Sequence, residues 1–216
     1  AEILSSMLPG ESAEWPEFVR VIHEEGLQLT RLVDGIFDFL QLESGEASFH
    51  DEELEGGAVL RSVLGPFEAM AAARHIDLQV VEEGAPPRLC VDRRRLAQLM
   101  RHLLDNAIKF APVGGSVRIT VGCREDCWEL RVEDSGPGVP PTDRMAVFDK
   151  FHQLPDHLTE KPSGTGLGLA TSRAIVARFG GIIWCEGSML GGSAFVVLLP
   201  GIGQPRLSPI AATGAF

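Results

Sequence analysis

Residues 101–112, Arg101 to Pro112, read RHLLDNAIKFAP, and the rest of the chain is read from them. Leu99, Leu103, Ala107 and Phe110 recur at helical spacing, so one face of a helix is apolar and buried. On its flank Asn106 and Lys109 stand at i and i+3, where side chains project the same way. A neutral oxygen ligand beside a flexible ammonium suits a hydrated divalent cation and the phosphates it bridges, because magnesium takes few protein ligands and keeps its waters. By itself the pair is equally the wet face of an ordinary helix, so its meaning depends on the turns downstream.

Working outward, Asp92 is an N-cap for this helix, Leu89 to Val91 a short strand, Pro86-Pro87 a turn, and Ile76 to Val81 an alternating strand. Upstream, Glu55 to Arg74 carries an apolar stripe through Val59, Leu60, Val63, Leu64, Phe67, Met70 and Ala71, which would cover a sheet. Downstream, Ser116 to Gly122 and Cys127 to Glu133 alternate as two strands. Val139 to Pro162 is long and polar, as expected of a mobile lid, with Phe148 and Phe151 of VFDKF at its base. A helix from Gly168 to Phe179 and strands Gly181 to Glu186 and Ser193 to Leu199 close the domain. These elements predict a two-layer α/β sandwich, with helices on one face of a mixed sheet. Residues 201–216, rich in Gly, Pro, Ala and Ser, read as a flexible tail.

The N-terminal part is different. AEILSSML reads as the end of a helix broken at Pro9-Gly10, so the chain is expected to begin within an element. A second helix runs from Ala13 to Leu42, with Trp15, Ile22, Leu29 and Ile36 in one heptad series and Val19, Val33 and Leu40 in another. Such seams predict a helical hairpin or bundle over residues 1–48 that needs partner helices. His23 lies in this helix beside Ile22 and the acidic pair Glu24-Glu25, and it reads as a boundary residue without chemistry.

With 19 basic and 30 acidic residues the formal charge is -11, which disfavours nucleic acid and direct contact with anionic membranes. Arg93-Arg94-Arg95 reads as a solvated helix start. Cys90, Cys123, Cys127 and Cys185 form no C-x-x-C pair and lack a histidine at finger spacing, so reduced core thiols of a cytoplasmic protein are expected. No apolar run reaches the ~18 residues needed to span a bilayer, and the first residues do not resemble a signal peptide, whether or not a longer parent is membrane-anchored.

Two downstream turns carry chemistry. Asp134-Ser135-Gly136-Pro137-Gly138 ends a strand with a carboxylate and two glycines, where a flat group can approach the backbone. A carboxylate that accepts from an exocyclic amine selects adenine over guanine. Ser163 to Ala170 reads SGTGLGLA and runs into a helix, so glycine-turn and helix N-terminal N–H groups converge as an anion site. No Gly-Lys-Ser/Thr closes it and no strand directly precedes it, so it is neither a Walker loop nor a Rossmann turn. Lys161 is placed to reach an outer phosphate, and His152 and His157 are expected to be exposed.

In order, HLLDNAIKF, DSGPG, VFDKF and GTGLGLA resemble the N, G1, F and G2 boxes of sensor histidine kinases, within the gyrase, Hsp90 and MutL ATPase superfamily. The resemblance spans about residues 54–200 and implies the Bergerat-type ATP-binding fold. TRLVDGIFDFLQLESGE resembles the close of the second helix of that family's dimerisation and phosphoacceptor domain. The resemblance implies Asn106 as magnesium ligand, Lys109 as phosphate contact and Phe110 beside the adenine. It also implies Asp134 as acceptor of the adenine amine, Gly136 and Gly138 as room for the base, and a backbone cradle of Gly164, Thr165, Gly166, Leu167 and Gly168. His102 departs from the pattern, standing where the family often has a first asparagine, and with Asn106 and Lys109 it completes the candidate catalytic set.

The family's acceptor histidine, in a His-Glu stretch of the first helix, has no counterpart, so the sequence is expected to begin downstream of it. The resemblance thus implies a histidine kinase that uses ATP and magnesium, serves a response-regulator receiver domain and dimerises through its helices. Two alternatives stand beside it. One is a degenerate docking or phosphotransfer scaffold without ATP turnover. The other, a gyrase- or MutL-like clamp, lacks its water-activating glutamate, because His102 and Asp105 occupy that region.

Overall fold

Alternation at Val117, Ile119 and Val121 turns these three side chains to one side of a strand, and all three are completely buried. In the computed structural model, which describes residues 15–153 and 166–207, the elements run α1 (Trp15–Ser44), β1 (Asp51–Leu54), α2 (Gly56–Ala73), β2 (Asp77–Glu82), β3 (Leu89–Asp92), α3 (Arg93–Phe110), β4 (Ser116–Arg124), β5 (Cys127–Asp134), a single 3-10 turn (Ala146–Phe148), α4 (Gly168–Arg178), β6 (Ile182–Gly187) and β7 (Ser193–Pro200). Five strands form one mixed sheet in the order β2-β4-β5-β7-β6, parallel only between β2 and β4. This is the α/β sandwich expected from the alternation. Val59, Leu60 and Leu64 of α2 and Leu99, Leu103 and Ile108 of α3 bury against Ile119, Leu130 and Val197 of the sheet. No helix among the described residues is long and apolar enough to cross a membrane.

Period two also decides what β5 offers each side. Trp128, Leu130 and Val132 face the helices, and the same phase carries Asp134, the last residue, to that side. Glu129, Arg131 and Glu133 face away, where Arg131 pairs with Glu186 at 2.5 Å and Glu133 at 3.4 Å.

Asp92 caps α3 as expected, accepting from the N–H groups of Arg94 at 2.8 Å and Arg95 at 3.0 Å. It also accepts from His50 N at 2.8 Å, which ties down the connection from α1. β1 had no signal in the sequence: DEEL has no alternation, and the strand exists because its backbone pairs with β3. Four further expectations differ. Cys90 and Cys123 are exposed, and only Cys127 and Cys185 are buried thiols. In the expected lid, Val147 and Phe148 are buried, with Phe148 edge-on to Phe195 at 6.1 Å, so these two residues belong to the core, while Phe151, the other expected anchor, is exposed. His152 is partly buried rather than exposed, and its Nε2 has no hydrogen-bond partner among the described residues. The start of the expected tail is docked: Ile202 N donates to Arg88 O at 3.0 Å, Leu207 N to Gly180 O at 2.8 Å, and Leu207 packs on the Ile182, Trp184 and Val196 cluster.

α1 exposes Ile22, Leu29, Val33, Ile36 and Leu40, five of the seven heptad residues of the expected seam. Its last turns dock on the sandwich. Phe39 is buried with Leu167 and Ala170, and Asp38 pairs with Arg95 and accepts from Gln98, both at 2.5 Å. The expected first helix of the hairpin, residues 1–8, lies outside the described residues.

The β4–β5 hairpin turns through two residues in the left-handed region, Glu125 (φ 51°) and Asp126 (φ 62°). Asn-Gly fits such a turn far better than Glu-Asp. Replacing Glu125→Asn together with Asp126→Gly is expected to raise stability by about 1 kcal/mol, measured as a higher midpoint in urea at unchanged slope.

Candidate functional site

Asp134 is 2% exposed, and its Oδ1 accepts from Gly136 N at 2.8 Å and Ser193 N at 3.3 Å. Burial raises its pKa, opposed by those two backbone donors and by the Ser193 hydroxyl. Glycine is required around it. A Cβ on Gly136 would stand 2.6 Å from Phe110 O and 2.8 Å from Asp134 Oδ1, and one on Gly192 would stand 2.3 Å from Asp134 Oδ1. Gly138 takes φ +76° beside the Gly192 backbone. Ser135 fastens the turn to β4, donating its N–H to Ser116 O and accepting from Ser116 N at 2.8 Å.

The DSGPG turn therefore lies against the end of α3. That end is itself clamped, because Arg74 donates to Ile108 O, to Lys109 O at 3.1 Å and to Ala111 O at 3.0 Å, a cation on the helix's negative pole. Phe110 leaves its ring half-exposed beyond the clamp, with Lys109 Nζ 4.7 Å from the ring centroid. Asn106 lies one turn back, partly buried.

Gly166 (φ +68°) and Phe151 (φ 60°) meet where Phe151 N donates to Gly166 O at 3.1 Å. A Cβ on Gly166 would lie 2.8 Å from Phe151 Cα, so only glycine fits. Leu167 is buried against Phe39 and Ala170, and Gly168 begins α4 beside the His102 ring. Lys161, Gly164, Thr165 and His157 lie outside the described residues.

α3 thus runs between two contact points, His102 at the start of α4 and Phe110 at the Gly136 turn, each about 6 Å along the axis from Asn106. Gathered there are a buried acceptor carboxylate, an aromatic plate, an amide and an ammonium, and a helix N-terminus that attracts anions. Gly192, Ser193 and Arg74 escaped the sequence reading. The Gly191-Gly192 pair signals only a turn, and Arg74 reaches carbonyls 34 to 37 residues away.

The sequence profile described as "Histidine kinase-, DNA gyrase B-, and HSP90-like ATPase" matches residues 91–202. The circadian input-output histidine kinase CikA of Synechococcus elongatus is 32% identical over 187 residues, which cover 85% of this chain and 25% of CikA. Full-length ShkA in complex with AMPPNP matches with a TM-score of 0.75 at 26% identity, over 89% of this chain and 40% of ShkA. ThkA in complex with the response regulator protein TrrA matches with a TM-score of 0.70 at 23% identity, over 89% of this chain and 53% of ThkA, a likeness of fold. The chain spans about a quarter of the length of CikA.

Proposed function

The chain belongs to the histidine kinase-, DNA gyrase B- and HSP90-like ATPase family, and from that premise we propose that residues 54–200 position Mg-ATP for transfer of its γ-phosphoryl to a histidine, and thence to a response-regulator aspartate. One observation carries this reading: a buried carboxylate, Asp134, pre-held by two backbone N–H groups and flanked by glycines where no Cβ fits. In the proposed complex Asp134 accepts from the adenine amine, Gly136 and Gly138 admit the base, and Phe110 packs on it. Lys109 and Lys161 meet phosphate oxygens, and the backbone of Gly164, Thr165, Gly166, Leu167 and Gly168 surrounds them.

Asn106 would hold magnesium through its neutral amide oxygen, a ligand type that suits this ion, with the Lys109 ammonium one turn away on the same flank. Magnesium would supply charge neutralisation at the phosphates. Catalysis by this chain is then positioning plus electrostatics, the main demand of phosphoryl transfer. His102, the third member of the candidate catalytic set, touches α4 rather than the turn that holds Asp134. The exposed heptad residues of α1 supply a seam for dimerisation, and a receiver domain is the expected acceptor partner.

Calorimetric titration of the full chain with ATP and GTP, with and without magnesium, tests the reading. Magnesium-dependent ATP binding with GTP at least about tenfold weaker is expected, because the carboxylate would lack its amine donor. No affinity for ATP would sink it and leave the scaffold.

A further inference from the structure

One turn before Asn106, the imidazole of His102 leaves α3 and lies over the first turn of α4. A Cβ on Gly168 would be 3.8 Å from His102 Cγ and 4.0 Å from Cδ2, ordinary van der Waals distances, so the ring packs on this turn without crowding it. His102 Nδ1 is 3.5 Å from Ser172 Oγ, and the Ser172 hydroxyl donates to Gly168 O at 2.8 Å. A hydroxyl has one proton. Directed at Gly168 O, it leaves Ser172 able only to accept from the ring.

Burial lowers the His102 pKa, and Arg101 on α3 acts the same way. Asp38 on α1, Asp105 on α3 and a hydrogen bond to the Gly168 backbone act against it. The ring that results carries a single N–H, and Ser172 Oγ, whose own proton goes to Gly168 O, is an acceptor beside Nδ1, so the tautomer that pairs the two has its proton on Nδ1.

His102 also occupies a distinctive place along α3. Arg95, Gln98, His102, Asn106 and Lys109 follow one another at spacings of three or four, one stripe of the helix. Asp38 of α1 engages the first two, each at 2.5 Å. His102 is where the stripe passes from α1 to α4, and Asn106 and Lys109 follow directly.

We propose that His102 is a positioning residue that, through its Nδ1–H and ring face, holds the first turn of α4 in register with Asn106, so that the Gly166–Gly168 backbone and the Asn106 oxygen address the same phosphates. The proposal rests on the nucleotide site described above. His102 acts through Gly168 and Ser172 and itself need touch no phosphate. The adenine end, at Asp134, is held by β5 and β7 and does not depend on it.

The test compares ATP and adenosine affinities by calorimetry in magnesium for the full chain and for His102→Ala, His102→Asn, Ser172→Ala and the His102→Ala/Ser172→Ala pair. Removing the hydrogen bond and the packed ring is expected to weaken ATP binding about tenfold in His102→Ala and to move adenosine less than about twofold. Asparagine places its Nδ2 as many bonds from Cα as histidine places Nδ1, so His102→Asn should recover ATP affinity to within about threefold. Ser172→Ala should add little once His102 is alanine, as expected of two groups in one contact. Unchanged ATP affinity in His102→Ala overturns the proposal. So does equal weakening of ATP and adenosine without recovery in His102→Asn, which is the signature of a damaged fold. An unaltered chain that fails to bind ATP overturns the nucleotide site itself, a different result from wild-type binding with an indifferent His102.

Discussion

Asp134→Asn is expected to weaken ATP binding about a hundredfold while leaving the fold intact. The replacement is isosteric. Its amide oxygen can still accept from Gly136 N and Ser193 N, the contacts now made by Oδ1 at 2.8 and 3.3 Å. The amide nitrogen then faces the exocyclic amine of adenine, donor against donor, at a residue only 2% exposed. Calorimetry should show the lost affinity, and thermal unfolding should shift by no more than about 3 °C. An Asn variant that binds ATP like the unaltered chain would remove Asp134 from the adenine contact.

The same carboxyl makes a pH prediction of definite sign. Burial raises its pKa in the folded state, so between the ordinary value near ~4 and the raised one the folded chain holds more protons than the unfolded chain. Asp134's contribution to stability therefore grows as pH falls through that window. ATP affinity falls over the same window, because a protonated carboxyl is the poorer acceptor. Affinity measured against pH should fall on acidification before unfolding sets in.

Gly56→Ala is expected to destabilise the sandwich strongly. Gly56 is the first residue of α2, and a Cβ there would lie 2.3 Å from Trp128 Cε2 and Nε1 and 2.6 Å from Cζ2. Trp128 is fully buried in the central strand β5, so neither the indole nor the helix can yield cheaply. A cost of about 3 kcal/mol follows, or a fall in Tm of about 9 °C for a chain of this size. Trp128 Nε1 is buried without a hydrogen-bond partner among the described residues, so Trp128→Phe removes an unpaired donor and shortens the ring together. Adding Trp128→Phe to Gly56→Ala should restore about half of the lost stability. Additive losses in the double variant would show that the indole is not what the methyl group meets.

How far the site could be read from the chain depends on the range of each interaction. Asp92 was legible as a cap because its partners are two and three residues away. Phe148 was legible as an anchor but the segment around it was not, because polarity suggests solvent while Val147 and Phe148 pack on Phe195 and its neighbours. The glycine turns were legible as turns. That Gly192 would crowd Asp134 depends on β7 lying beside β5, and strand order is not written in the alternation of either strand.

The sequence by itself determined the α/β sandwich, the placing of Asn106 and Lys109 on one flank of α3, and the side of β5 to which Asp134 turns, because helical and strand periods are local properties of the backbone. Only the tertiary structure decided what those residues meet. Ser193 reaches Asp134 across 59 residues, Arg74 clamps α3 across at least 34, and Ser172 comes to His102 across 70. Those contacts exist because burying one face of the sheet packs α3 and α4 against the neighbouring inner strands β5 and β7. His102, ambiguous as a letter in RHLLDNAIKFAP, acquires its role from that packing alone.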